Sequence, residues 1–195
     1  MARGLQFTGV LLAGGRSQRM GRDKALLTLA GGDPLWQWQL EKLHSLGLAE
    51  VVVSGPSRPG FPPGLRCLAD AYPGHGPLGG LGTVFDACPQ RPVLVLAVDV
   101  PRISAGFLNA LLTGSSFEVG RVPKVAGHYE PLVAVYPPSA RSFARRALTS
   151  GCLRLQDFAQ SLVNAGSVLP YDVPRSEWAD FVNWNRPEDL PPDAP

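Results

Sequence analysis

The stretch LLAGGRSQRMGRDK, residues 11–24, puts more chemistry into fourteen positions than any other part of the chain. Gly14 and Gly15 end an apolar run, and Arg16, Arg19, Arg22 and Lys24 follow at once. Glycines let a backbone come close to a ligand and turn N–H groups toward an anion. Arginine grips a phosphate by a planar fork and lysine meets it as a point charge. Arg19 and Lys24 are therefore candidates for neutralising phosphate charge. The chain has three lysines, Lys24, Lys42 and Lys124, and one of them is spent here. The spacing is not a Walker A loop, because Gly21 is followed by Arg22-Asp23-Lys24-Ala25 rather than Lys-Ser/Thr. Nor is it G-x-G-x-x-G, which speaks against a dinucleotide-dependent oxidoreductase.

Asp99 closes the apolar segment VLVLAVDVP, and Pro101 prevents the strand from continuing. A carboxylate at a strand end is a candidate Mg²⁺ ligand facing those phosphates; a local turn is the competing reading. Asp70 precedes AYPGHGPLGG. It can accept N–H or O–H groups of a base or ribose, or cap a turn. The glycines of residues 76–82 allow close backbone approach, a mobile lid or tight helix packing. His75 reads as incidental and His128 as a candidate substrate-facing residue. Asn183 and Asn185 flank Trp184, so in an extended segment both point to one side, toward a second substrate or into a turn.

These residues need a scaffold. Phe7–Ala13 reads as a buried strand ending at the glycines. Asp33 is expected as N-cap, with Pro34 at the first position of a helix carrying Trp36, Leu40 and Leu43 on its apolar face and Gly47 as its stop. Strands are expected at Val51–Val53, Leu65–Leu68, 92–98, Val122–Ala126 and Leu132–Tyr136, with weaker candidates at Val168–Tyr171 and Phe181–Asn183. Helices are expected from about residue 76 to Cys88, from a Ser104 cap to Leu112, at Pro138–Thr149 and at Leu153–Asn164. Residues 55–64 form a Pro/Gly loop, and the tail from Pro187 is expected to fray after one helical turn. Alternating strands and helices predict βαβ units and a mostly parallel sheet covered on both faces. Ligands in such folds sit at the carboxyl ends of the strands. The loop after Ala13, the stretch from Asp70 to Gly80, and Asp99 are thus expected on one rim.

A length of 195 residues fits a single domain, residues 1–195, and 45% apolar with 17% charged residues is an ordinary globular composition. A net charge of +2 carries no global field that argues for nucleic acid. No apolar run approaches the length of a membrane span. Cys67, Cys88 and Cys152 are odd in number, show no C-x-x-C and make no zinc spacing with the histidines, so a reduced, cytoplasmic setting is expected. The N-terminal stretch lacks the continuous apolar core of a signal peptide.

With these residues in view, the chain resembles a known family. LAGGRSQRMGRDKALL is similar to the L-A-G-G-x-S-x-R-M-G-x-D-K-x-L pattern of nucleotidyltransferases. VDVP resembles their metal-binding D-x-P, and GPLGGL their G-P-L-x-G loop. EPLVAVY and FVNWNRPEDL resemble later segments of the molybdenum cofactor guanylyltransferases. The resemblance implies a three-layer α/β/α fold, a Rossmann-like sheet of the nucleotidyltransferase type, with GTP as donor and Mg²⁺ as cofactor. It implies that Leu12, Ala13 and Gly14 line the guanine site and that Gly15, Arg19 and Lys24 meet the phosphates. Asp70 would contact the nucleotide, Asp99 would bind the metal, and Asn183 and Asn185 would face molybdopterin. Ser54 stands where some members carry Asn. Candidate partners are proteins that deliver the pterin or accept the finished cofactor. Cytidylyl or sugar-phosphate transfer on the same fold, and nucleotide binding without turnover, remain open on the residues alone.

Overall fold

A computed structural model describes residues 6–14, 25 and 32–184 of the chain. Gly15, Arg19, Lys24 and Asn185 lie outside the described residues, as do the other arginines of the first loop and the tail.

In chain order the elements are β1 (Thr8–Leu12), α1 (Leu35–Ser45), β2 (Glu50–Ser54), β3 (Arg66–Leu68), α2 (Gly76–Ala87), β4 (Val93–Ala97), α3 (Ala105–Thr113), β5 (Gly120–Val125), β6 (His128–Tyr129), β7 (Val133–Tyr136), α4 (Ala140–Ser150), α5 (Leu155–Asn164) and β8 (Val168–Asp172), followed by a 3₁₀ segment at Arg175–Phe181. The strands form one sheet in the order β3-β2-β1-β4-β7-β5-β6, with β8 beside β5. β1 lies parallel to β2 and β4, and β2 to β3. β7 runs antiparallel to both β4 and β5, while β8 follows β5. Six of the eight strands therefore point the same way, and only β6 and β7 run against them.

Side-chain alternation along the strands separates two cores. Leu11, Val53, Leu94, Leu96, Val133 and Val135 pack on the side of α1 and α3. Val10, Val52, Val93, Val95, Ala134 and Tyr136 pack with residues of α2, α4 and α5. β4 is buried along its whole length, as a central strand between two helical layers must be. The result is the expected three-layer α/β/α arrangement. On the second face Gly82 lets α2 approach α4, since a Cβ there would lie 2.6 Å from Leu148 Cδ1.

Two local expectations are corrected. Asp33 does not cap α1: Pro34 occupies the N-cap position in an extended conformation (ψ 151°), and no side chain caps that end. Proline's fixed φ serves the position just outside the helix as well as the one just inside, so the helix starts one residue later. Phe181–Asn183 is not a strand. The 3₁₀ segment ends at Phe181, and the chain then leaves it in an extended turn without joining the sheet. Ser104 does cap α3, accepting from Phe107 N–H at 3.0 Å.

Candidate functional site

The parallel strands end in register. Leu12 is level with Ser54 on one side and with Ala97 on the other, and Ser54 is level with Leu68. The chain segments that leave these ends stay bonded to one another: Ala13 N–H donates to Ser54 O (3.0 Å), Gly55 N–H to Leu68 O (3.0 Å) and Val98 N–H to Leu12 O (3.1 Å). Leu12–Gly14, Asp70 and Asp99 thus leave neighbouring strands at one rim. β7 begins at this rim, because Val133 is level with Leu96 and Ala97 N–H donates to Leu132 O at 2.9 Å.

Glycine makes the first part of the rim compact. Gly55 has φ +141°, and a Cβ on it would lie 2.9 Å from Gly14 N. Only glycine lets these two turns touch. A Cβ on Gly80, in the first turns of α2, would sit 3.4 Å from Ser54 Oγ and 3.9 Å from Leu12 Cδ2. The start of α2 is thereby seated behind the ends of β1 and β2. Ser54 is buried there, a small side chain in a tight space.

Asp70 is exposed, and its Oδ1 accepts from Tyr72 N–H at 2.9 Å and from Thr83 Oγ1 at 3.4 Å. Its turn-capping role is real, and it faces solvent at the rim, beyond the end of β3. The loop it starts is tied down through Tyr72, whose hydroxyl donates to Asp86 Oδ2 at 2.6 Å. Arg141 Nε (2.7 Å) and Arg145 Nη2 (2.8 Å) pair with the other oxygen of Asp86. Burial alone would raise the Asp86 carboxyl; the Tyr72 hydroxyl and the two guanidinium groups outweigh it and hold it below the usual range.

Asp99 is half-buried between buried Val98 and Val100, immediately past the end of β4. Its carbonyl accepts the Trp184 N–H at 2.7 Å, which draws Asn183 to the same turn. Asp70, Asp99 and Asn183 therefore share an edge with Leu12–Gly14. Ala25, the residue after Lys24, is buried against the α1 face of the sheet.

His75 sits at the start of α2 with its Nδ1 near the Tyr72 and Pro73 carbonyls, a local packing role. His128 is exposed at the tip of the hairpin that follows β5, and β5 ends on the Asp99 rim.

A divalent ion fits this set on chemical grounds. Magnesium binds through one or two carboxylates and completes its shell with substrate phosphates and water, rather than through an all-protein cage. No group of three or more His, Cys, Asp and Glu side chains that would hold a metal unaided occurs among the described residues. The Asp99 carboxylate, on a turn whose backbone is hydrogen-bonded to Trp184, matches the shared, substrate-completed kind of site.

The structure also reveals residues that the sequence reading passed over. Arg58 lies in the Pro/Gly loop, is 9% exposed, and donates from Nη2 to Ala13 O at 2.7 Å and from Nη1 to Pro56 O at 3.3 Å. It is the only charged residue in residues 55–64, which was the available signal. Gln39 is wholly buried on the apolar face of α1, three residues after Trp36 and four before Leu43. A polar residue at a core position was its signal. Glu130 lies just before β7, and burial pushes its carboxyl up to about 7.

The chain matches the model of the MobA-like NTP transferase domain over residues 9–165. It is 36% identical over 187 residues to a protein of Opitutus terrae named probable molybdenum cofactor guanylyltransferase, covering 94% of this chain and 92% of that one. It is 38% identical over 194 residues to the molybdenum cofactor guanylyltransferase of Xanthomonas euvesicatoria pv. vesicatoria, covering 93% and 91%. Among solved structures, the molybdopterin-guanine dinucleotide biosynthesis protein A of Archaeoglobus fulgidus superposes with a TM-score of 0.70 over 94% of each chain at 23% identity, a likeness of fold. No helix among the described residues is long and apolar enough to cross a membrane.

Proposed function

The chain belongs to the family built on the MobA-like NTP transferase domain, and from that membership we propose that it transfers GMP from GTP to the terminal phosphate of molybdopterin. The product is the guanine dinucleotide form of the cofactor, and pyrophosphate leaves. The observation that carries this reading is the aligned rim, where the turn after β1, Asp70 and Asp99 follow strand ends held level by hydrogen bonds and the segment at Asn183–Trp184 is bonded to Asp99.

In the proposed roles, Leu12, Ala13 and Gly14 line the base, with Asp70 beside it. Gly15, Arg19 and Lys24 meet the triphosphate, and Arg19 and Lys24 neutralise its charge. Asn183 and Asn185 orient the pterin substrate on the far side of Asp99. Asp99 would hold a Mg²⁺ ion, which when bound supplies charge neutralisation on phosphate oxygens. The acceptor phosphate is a monoester with a second pKa of about 6, so it is already ionised near neutral pH. It attacks the α-phosphorus as the bond to pyrophosphate breaks, and no base on the chain needs to remove a proton. The work of the side chains is in-line positioning and electrostatic stabilisation. All three cysteines are free, which fits the reducing cytoplasm proposed as the setting.

The test is pyrophosphate release with GTP, CTP, ATP and UTP in turn, each with molybdopterin or a sugar 1-phosphate as acceptor, in the presence and absence of Mg²⁺. Release confined to GTP, molybdopterin and Mg²⁺, with the dinucleotide identified by mass, is the expected result. Release with CTP or a sugar phosphate instead would reassign the substrate. Tight GTP binding with no release would mean a binding protein.

A further inference from the structure

Helix α1 supplies a set of donors to the backbone on either side of Asp99. Gln39 Nε2 donates to Ala97 O at 3.0 Å and to Val100 O at 3.1 Å, so one buried amide spans the aspartate. Trp38 Nε1 donates to Pro101 O at 3.3 Å, and Lys42 Nζ donates to the same oxygen. Lys42 is itself held by Gln39 Oε1 at 3.0 Å and lies 5.2 Å from the centre of the Trp38 ring. From the other side Trp184 N–H takes Asp99 O. The carbonyls of residues 97, 99, 100 and 101 are thus all engaged.

A glutamine at a fully buried helix position is costly unless its amide is satisfied. Leucine would fill the same position without that cost if packing were its only purpose. What the amide does is bond the Ala97 carbonyl at the end of β4 and the Val100 carbonyl beyond Asp99, the second of which also accepts Ile103 N–H at 3.3 Å. The direction of a carboxylate that shares an ion with a substrate depends in part on how firmly its backbone is held.

We propose that Gln39, supported by Trp38 and Lys42, is a positioning residue that aims the Asp99 carboxylate at the divalent ion carried with the nucleotide. The proposal rests on the reading of Asp99 as the metal ligand. It adds a structural cause, located on a different element, for that residue's effectiveness.

The experiment titrates Mn²⁺ by electron paramagnetic resonance, with a non-hydrolysable GTP analogue present, into the full chain and its variants. Nucleotide affinity is measured separately in a chelator. Gln39→Met is expected to weaken Mn²⁺ binding by about 10-fold or more, the scale of lost outer-shell support. Metal-free nucleotide affinity should change by less than about 2-fold, because the amide is wholly buried and bonded to carbonyls of this chain. Lys42→Met should give a smaller loss of the same kind, restored by Lys42→Arg. Unchanged Mn²⁺ affinity in a folded Gln39→Met protein overturns the proposal. So does an equal loss of metal and metal-free nucleotide affinity, which marks general damage. If Gln39→Met does not fold, Trp38→Phe and Lys42→Met decide by the same criteria. Asp99→Asn runs alongside: if it retains tight Mn²⁺, the metal-ligand reading falls. If it loses the ion while Gln39→Met keeps it, only the clamp falls.

Discussion

The backbone N–H of Trp184 donates to the carbonyl of Asp99 at 2.7 Å. This bond joins the last described segment of the chain to the central strand. Residues 85 positions apart in sequence are adjacent in space, and Asn183 is carried with its neighbour to the rim. The residue proposed for the acceptor is therefore the chain neighbour of the one bonded to the residue proposed for the ion.

Replacing Asp99 by Asn keeps the shape of the turn and removes the charge. Turnover is expected to fall on the order of 100-fold or more, the scale of losing one preorganised electrostatic group. Circular dichroism should be unchanged. Pyrophosphate release within a few-fold of wild type would refute the role.

Asn183→Ala is expected to separate the two substrates. The apparent affinity for molybdopterin should weaken roughly 10-fold, as for one or two lost hydrogen bonds, with the KM for GTP little altered. An effect on GTP alone would move Asn183 to the nucleotide side.

Arg58 holds the Ala13 carbonyl from inside the protein. Arg58→Met leaves that carbonyl short of a donor and is expected to cost about 1–3 kcal/mol in urea unfolding. Because Ala13 is proposed to line the base, KM for GTP should rise in the same variant. A loss of stability with no change in KM would make Arg58 purely structural.

Gly55→Ala tests the contact between the turns after β1 and β2. The new Cβ would meet Gly14 N at 2.9 Å in a left-handed backbone region that alanine rarely adopts. A loss of roughly 1–3 kcal/mol and weaker nucleotide binding are expected, measured by thermal melting with and without GTP.

Glu130 gives the pH dependence of stability a defined sign. Its folded pKa of about 7 lies above the ordinary unfolded value of about 4.3 because burial disfavours the anion. Its favourable contribution is complete below the unfolded value and is lost as the pH rises through the folded one. Glu130→Gln should flatten this window, becoming more stable than wild type above pH 7 by on the order of 1 kcal/mol after solvent screening. Equal slopes in urea melts between pH 5 and 7.5 for both proteins would refute it.

The layers and most elements were legible in the sequence because they follow from local pattern. The unbroken apolar run at 92–98 could only be a central strand, and it is β4. Ser104 before an apolar helix could only be a cap, and it is one. Asp33 misled because Asp before Pro looks like a cap and a first turn. Whether the side chain bonds there depends on where the chain enters, which no local pattern states. Phe181–Asn183 misled because an apolar residue near an extended turn looks like a strand until the sheet's edge is known.

The rim was anticipated in outline because parallel strands bring their carboxyl ends together whatever their sequence separation. Which residues hold it still was decided by the tertiary structure alone. Arg58 reaches Ala13 across 45 positions and Gln39 reaches Ala97 across 58. A glutamine among leucines or an arginine among prolines announces only that something polar must be satisfied. Sequence by itself determined the elements, the direction of most strands and the kinds of chemistry available at their ends. Partner choice for buried donors depends on distances between segments remote in the chain, and folding is what sets those distances.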